Sequence, residues 1–418
     1  MIFSPPSATR CCIAGGGPAG MMLGLLLARA GVDVTVLEKH SDFLRDFRGD
    51  TVHPSTLEVM HELGLLESFL QRPHDKAHDI RAFVGGAQAI VADFSRLRTR
   101  CRFIAMVPQW EFLDFLRCEA SLHPGFRLAM NTQAVGLIEE DGRVVGVRAR
   151  TPTGETAVRA DLVIGADGRQ SAVREAAGLQ VVNLGTPIDV LWMRIIKRRS
   201  DPAGSAGRIG TGRFMAMIDR GTYWQCAYVI HKGGNEAIRA RGLEAFRADI
   251  TALVPLFADR IKAELADWDD VKLLSVSVDR LVKWWKPGLL CIGDAAHAMS
   301  PIGGVGINLA VQDAVAAANV LAAPLADAKL TADTLTRLLA KVQKRRMWPT
   351  RLTQAVQVAA QNRMLDPLLD GTRPPEMPFA LKLLNRWPAL RTWPAYAVGV
   401  GARPEHVNSP EAVPRRKA

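Results

Sequence analysis

Apolar positions alternate with glycine breaks at the start of the chain. Residues 10–14 form a β-prone run, 19–29 an almost unbroken apolar stretch of helical length, and 32–37 a second extended run, so the pattern predicts a β-α-β unit with a buried helix. Leu57, Met60, Leu63 and Leu66 recur at helical spacing, predicting a helix over 54–66, and residues 110–120 read the same way. Between 127 and 159 short alternating runs are separated by Asp141-Gly142 and Thr153-Gly154, which predicts hairpins. A buried strand at 161–166 and a short helix at 171–177 follow.

The pattern then changes. Residues 189–197 and 213–230 are extended, with glycine-rich breaks at 204–212 and 233–234 and one helix expected over 236–252, so a second domain built on antiparallel strands is predicted. Residues 289–292 return to a buried strand, followed by a glycine-rich loop and an alanine-rich helix over 307–322. Leu335, Leu338, Leu339 and Val342 share a helical face opposite Arg337, Lys341, Lys344 and Arg345; Pro349 is expected to interrupt that helix, and the chain beyond Leu365 to be irregular.

Composition narrows the class. At 418 residues, 48% hydrophobic and 23% charged, the chain can bury a large core, which excludes a disordered protein. No run approaches eighteen consecutive apolar residues and the N-terminus lacks a signal-peptide pattern, so no transmembrane segment and a cytoplasmic location are expected. The six cysteines show no CxxC spacing and are expected to be reduced core residues; His74 and His78 lack further ligands, so no metal site is expected. The net charge of +11 is concentrated at 334–365, where seven cations meet no carboxylate. A solvated helix face accounts for it, with a membrane or partner surface as the other reading and nucleic-acid binding disfavoured for want of interleaved aromatics.

Gly15, Gly17 and Gly20, with Pro18 and Ala19 between them, place GxGxxG between a predicted strand and helix, the context of a dinucleotide pyrophosphate site. Glu38, at the end of the next strand with Lys39 after it, can accept hydrogen bonds from ribose hydroxyls. This motif alone does not separate NAD from FAD. Two later segments do: DLVIGADGRQSAVR, with Asp167 and Gly168, and GDAAHAMSPIGGVGIN, with Asp294, Pro301, Gly304, Gly306, Ile307 and Asn308.

On these three motifs, over residues 8 to 345, the sequence resembles the single-component FAD-dependent aromatic hydroxylases of the para-hydroxybenzoate hydroxylase fold. The resemblance implies an α/β architecture: a Rossmann-like (GR2-type) FAD-binding domain (1–73, 101–178, 280–333), an inserted, mainly antiparallel β-sheet substrate domain (74–100, 179–279), and C-terminal helices with an irregular tail (334–418). It implies that Asp294 binds the ribityl chain, that Gly304 to Asn308 line the flavin ring, that Arg48 and Gln109 lie near the cofactor, and that Asp167 and Gly168 touch both FAD and the pyridine nucleotide path, with Ser171 and Arg174 bracing their loop. His297 is expected to be structural. Met215 and Met217, or Trp192, Arg194, Arg213, Trp224 and Tyr228, are candidates to line a substrate cavity.

The activity implied is monooxygenation: NAD(P)H reduces FAD, O2 adds to it, and the C4a-hydroperoxide hydroxylates an aromatic or polycyclic small molecule. A flavin carries this chemistry, so no catalytic side chain is assigned. The alternative is an FAD-dependent reductase or dehydrogenase that inserts no oxygen. A halogenase is disfavoured because the WxWxIP signature is replaced by Trp284-Trp285-Lys286-Pro287.

Overall fold

The computed structural model describes residues 5–44, 51–327, 329–371 and 376–412. Strand Ala8–Ala14 lies at the centre of a parallel sheet, with Val34–Leu37 and then Phe126–Ala129 on one side and Gly154–Gly165 and then Leu289–Cys291 on the other. Cys11, Cys12, Ile13 and Ala14 are all buried, because both faces of this sheet are covered. Helices α1 (Pro18–Arg29), α2 (Pro54–Glu62) and α3 (Gln109–Ser121) contribute to one covering layer, and the hairpin Gln133–Glu140 and Arg143–Thr151 packs on the other. At Gly24 a Cβ would sit 2.9 Å from the Phe126 ring and 3.0 Å from Val36, so glycine permits the close approach of α1 to the sheet.

A second sheet runs in the order Lys272–Leu274, Ile188–Ile196, Tyr223–His231, Arg213–Asp219, Ala206–Gly210, Asp79–Val84, Ala87–Asp93. It is antiparallel except where Ala206–Gly210 meets Asp79–Val84. One face is covered by α4 (Leu243–Leu253), which packs Phe246 and Ile250 against Met215, Met217, Trp224 and Tyr228. The single helix expected over 236–252 is two, Asn235–Ala240 and α4, because Gly242 at φ 87° turns the chain between them.

The helix α5 (Gly306–Ala326) packs between α1 and α6 (Ala332–Ala360). With its preceding turn, Ile302–Ala326, it is long and apolar enough to cross a membrane by length and composition, but most of its apolar stretch is buried inside the protein. Pro349 does not interrupt α6, contrary to expectation. The bond it forgoes is offset by anchors on both sides: Arg346 binds Asp313, Gln354 donates to the carbonyls of Asp279 and Ala298, and Gln357 donates to those of Ser300 and Ile302. Nor is the basic face wholly solvated. Arg346 is fully buried and Arg345 forms a bidentate pair with buried Glu405. The chain after Leu365, expected to be irregular, forms Asp366–Leu369, α7 (Phe379–Arg386) and α8 (Thr392–Gly399).

Candidate functional site

Three glycine-led loops at the ends of the parallel strands converge. Gly15 is at φ 108°, where a Cβ would overlap the Ala166 carbonyl, and a Cβ at Gly20 would overlap the Gly15 carbonyl. Glycine is therefore required at both by the fold itself. Gly17 differs: it caps α1 with no side-chain hydrogen bond, and a Cβ there would meet nothing within 4 Å. Pro18 opens the helix, whose first turn carries no acidic residue, so its N–H groups present a positive end to open space. Ala19 touches the third loop, which begins at Gly293, since a Cβ at Gly293 would lie 3.0 Å from the Ala19 methyl. Glu38 is nearly buried and accepts from Gly16 N at 3.0 Å and His40 N at 3.1 Å, bracing the first loop; Lys39 is exposed.

Asp167 accepts from Ser171 Oγ at 2.5 Å and Val173 N at 3.2 Å. Burial pushes its carboxyl above the ordinary range despite those bonds. Gly168 follows at φ 89°, and Arg174 donates to the Arg169 carbonyl at 2.5 Å. Asp294 lies in the turn Gly293–Ala295 and accepts from Arg169 Nε at 3.1 Å, with both side chains about one third exposed. Arg169 also donates to the Met299 carbonyl at 3.3 Å, so one guanidinium ties the first GD loop residues to the last. Sequence reasoning passed over it, although a cation directly after Asp167-Gly168 was a readable signal.

Pro301 begins the turn Ile302–Gly304, and Gly304, at φ 63°, has its carbonyl held by Thr51 Oγ1 at 3.0 Å. Gly306, Ile307 and Asn308 open α5, again without a side-chain cap or an acidic residue, and a Cβ at Gly306 would meet nothing within 4 Å. Asn308 Oδ1 accepts from Ser55 at 2.6 Å and Thr56 at 2.8 Å, while its buried Nδ2 has no partner among the described residues. Gln109 is half-buried at the start of α3; Arg48 lies outside the described residues. His297 is buried with Nε2 2.5 Å from Asp313 Oδ2. His53, missed in the sequence, is fully buried with Nδ1 2.8 Å from the Val398 carbonyl; burial lowers its pKa to about 4, so it is neutral near pH 7.

The second sheet divides the lining candidates. Met215, Met217, Trp224 and Tyr228 face α4 and belong to the domain's own core, and Arg213 pairs with Asp249 at 2.5 Å. Arg194 stacks over Tyr223. The other face carries Trp192, Phe214, Ala216, Ala227 and Val229, which cluster with Ile302 of the third loop. The alternation of the strands made both faces visible, but not which of them α4 would cover.

FAD fits this site. Two uncapped helix N-termini, the open approaches at Gly17 and Gly306 and the free amide of Asn308 would receive a pyrophosphate and a polar ring edge.

Fold and site together define a flavoprotein of the para-hydroxybenzoate hydroxylase type. The family described as FAD binding domain matches residues 8–354. The chain belongs to the FAD-dependent aromatic monooxygenase family. It is 35% identical over 390 residues to 6-methylpretetramide 4-monooxygenase of Streptomyces rimosus, covering 92% of this chain and 90% of that protein. Rifampicin monooxygenase of Streptomyces venezuelae is 29% identical over 72% of this chain, which spans only 61% of that longer relative. Among solved structures, P. aeruginosa PqsL in complex with 2-aminobenzoylacetate superposes with a TM-score of 0.71 at 21% identity, covering 87% of this chain and 97% of PqsL, a likeness of fold.

Proposed function

We propose that the protein is an NAD(P)H-dependent FAD monooxygenase that uses O2 to hydroxylate an aromatic or polycyclic small molecule. The observation that carries this reading is the opposition of the third glycine loop to an apolar sheet face. Gly207, Ala216, Ala227 and Trp192 lie in register across four neighbouring strands, giving a row of small residues that ends at an indole and suits a flat, fused-ring substrate. The 35% identity to the enzyme named for 6-methylpretetramide supports a substrate of that class.

When bound, FAD supplies the electron transfer and oxygen activation. The chain supplies the rest. The backbone of Gly15 to Gly20 and the start of α1 bind the pyrophosphate, and Glu38 is near enough to the strand end to accept from ribose hydroxyls. Asp294, held by Arg169, receives the ribityl chain, and the residues from Gly304 to Asn308 present backbone N–H groups to the ring. The N-terminal end of α5 favours negative charge there. Val190, Trp192, Phe214, Val229, Leu365 and Leu369 form an apolar wall that keeps water from the reacting centre. Gln109, and Asp167 and Gly168 on the pyridine nucleotide side, complete the proposed contacts.

Purified yellow protein mixed anaerobically with NADH or NADPH should bleach, and on admission of air with a panel of phenolic and polycyclic compounds should form hydroxylated product. Product that gains only hydrogen, or NAD(P)H consumption indifferent to oxygen, would assign the protein to the oxygen-independent reductases instead.

A further inference from the structure

The C-terminal helices carry a surface that the proposed chemistry does not use. Phe379 is 79% exposed, Trp387 55%, Trp393 78% and Tyr396 50%. Phe379 and Leu383 lie four residues apart on α7, Trp387 caps its C-terminal end, and Leu383, Leu384, Leu390 and Trp393 line an open apolar groove of about 400 Å³ between α7 and α8. Large aromatic side chains left this open on a folded domain mark an interaction surface.

Charge selects the occupant. Between residues 377 and 404 there are four cations, Lys382, Arg386, Arg391 and Arg403, and no Asp or Glu. A second copy docked through the same patch would set these cations against their own equivalents, which disfavours a symmetric dimer. An anionic lipid surface matches both properties: aromatic side chains enter the headgroup boundary, and Lys and Arg meet the lipid phosphates.

We propose that the α7–α8 hairpin docks the protein peripherally onto anionic membranes. The inner side of α8 links this surface to the site. Its Val398 packs against Met299, Val305 and Leu309 of the third glycine loop and α5, and its carbonyl contacts His53. A membrane-docked hairpin thus places the bilayer one helix away from the apolar face proposed to receive the substrate, a favourable arrangement for a lipophilic polycycle.

The test uses the FAD-bound full chain with phosphatidylcholine vesicles, with and without phosphatidylglycerol. The protein is expected to co-sediment with the anionic vesicles only, with a blue shift of tryptophan emission. Neutralising Lys382 and Arg386 to Gln should weaken binding by roughly 25-fold, about fivefold for each cation at an anionic surface. The pair Phe379→Ser and Trp393→Ser should abolish the emission shift while flavin content stays normal. Failure to bind anionic vesicles, equal binding to neutral ones, or wild-type affinity in both variants would overturn the proposal. So would light scattering that shows a dimer converted to monomer by Trp393→Ser, which would assign the patch to a second copy. None of these readouts depends on turnover, so the proposed activity can fail without affecting this result.

Discussion

Arg346 Nε lies 2.9 Å from Asp313 Oδ1, and neither side chain has any exposed surface. The other Asp313 oxygen meets His297 Nε2 at 2.5 Å and accepts from Gly293 N at 3.1 Å, while Arg346 also reaches Glu405 at 3.3 Å. Burial alone would raise the Asp313 carboxyl; His297 and Arg346 outweigh it and hold the group below the ordinary range. The GD loop and the C-terminal segment therefore hang on one internal charge cluster.

Arg346→Met leaves Asp313 and Glu405 buried with fewer partners. We expect a loss of about 3–5 kcal/mol in denaturant unfolding, the usual cost of removing one member of a buried pair. FAD should be retained less well on gel filtration, because the loop that carries Asp294 starts at Gly293. Unchanged stability would show that the cluster is not what fastens α6 to α5.

His53 gives the acid limb of stability a testable sign. Its pKa falls from 6.5 to about 4 on folding, so the unfolded chain binds the proton more readily. Its stabilising effect is complete above about pH 6.5 and disappears as the pH falls through 4, a total of about 3 kcal/mol for that shift. Unfolding midpoints measured across this window should fall with pH, and His53→Gln should flatten the slope.

The three glycines of the first loop should separate. Gly15→Ala forces a Cβ into the Ala166 carbonyl at a positive φ and should prevent folding. Gly17→Ala meets no protein atom, so the apoprotein should lose less than about 1 kcal/mol, the range of a helix cap change. Its FAD dissociation constant should nonetheless rise by on the order of tenfold or more, about 1.4 kcal/mol, because the added methyl stands where the pyrophosphate approaches. Flavin titration and apoprotein unfolding measure the two effects independently.

The faces of the second sheet should separate as well. Met215→Ala opens a cavity under α4 and should cost about 2–5 kcal/mol with little effect on KM. Ala216→Phe, the next residue but on the opposite face, should raise KM sharply with flavin content and Tm near wild type. The reverse pattern would place the substrate elsewhere.

What could be read in the sequence was what backbone sterics dictate. Gly15 and Gly20, and the loops at Gly168 and Gly304, announce themselves because few other residues suit those positions, whereas at Gly17 the fold leaves room for a side chain and only the approach of a ligand asks for glycine. Less legible was anything decided by a distant partner. Pro349 reads as a helix end in the sequence because Asp313 and Glu405, which hold the turn beside it through Arg346, lie 36 and 56 residues away. Arg169 could be read only as a cation beside Asp167-Gly168, and its role, like that of His53, came from a distant partner, Asp294 in one case and Val398 in the other. Met215 and Trp192 are equally apolar, and only the packing of α4 distinguishes the face that forms the domain's own core from the face turned toward Ile302.

Oxygen insertion by the proposed monooxygenase is measured by turning over an aromatic or polycyclic substrate with NAD(P)H under isotopically labelled O2 and weighing the product. One labelled oxygen atom per product molecule is expected, with formation that stops without oxygen. A product free of label, or one formed equally well under anaerobic conditions, would contradict it.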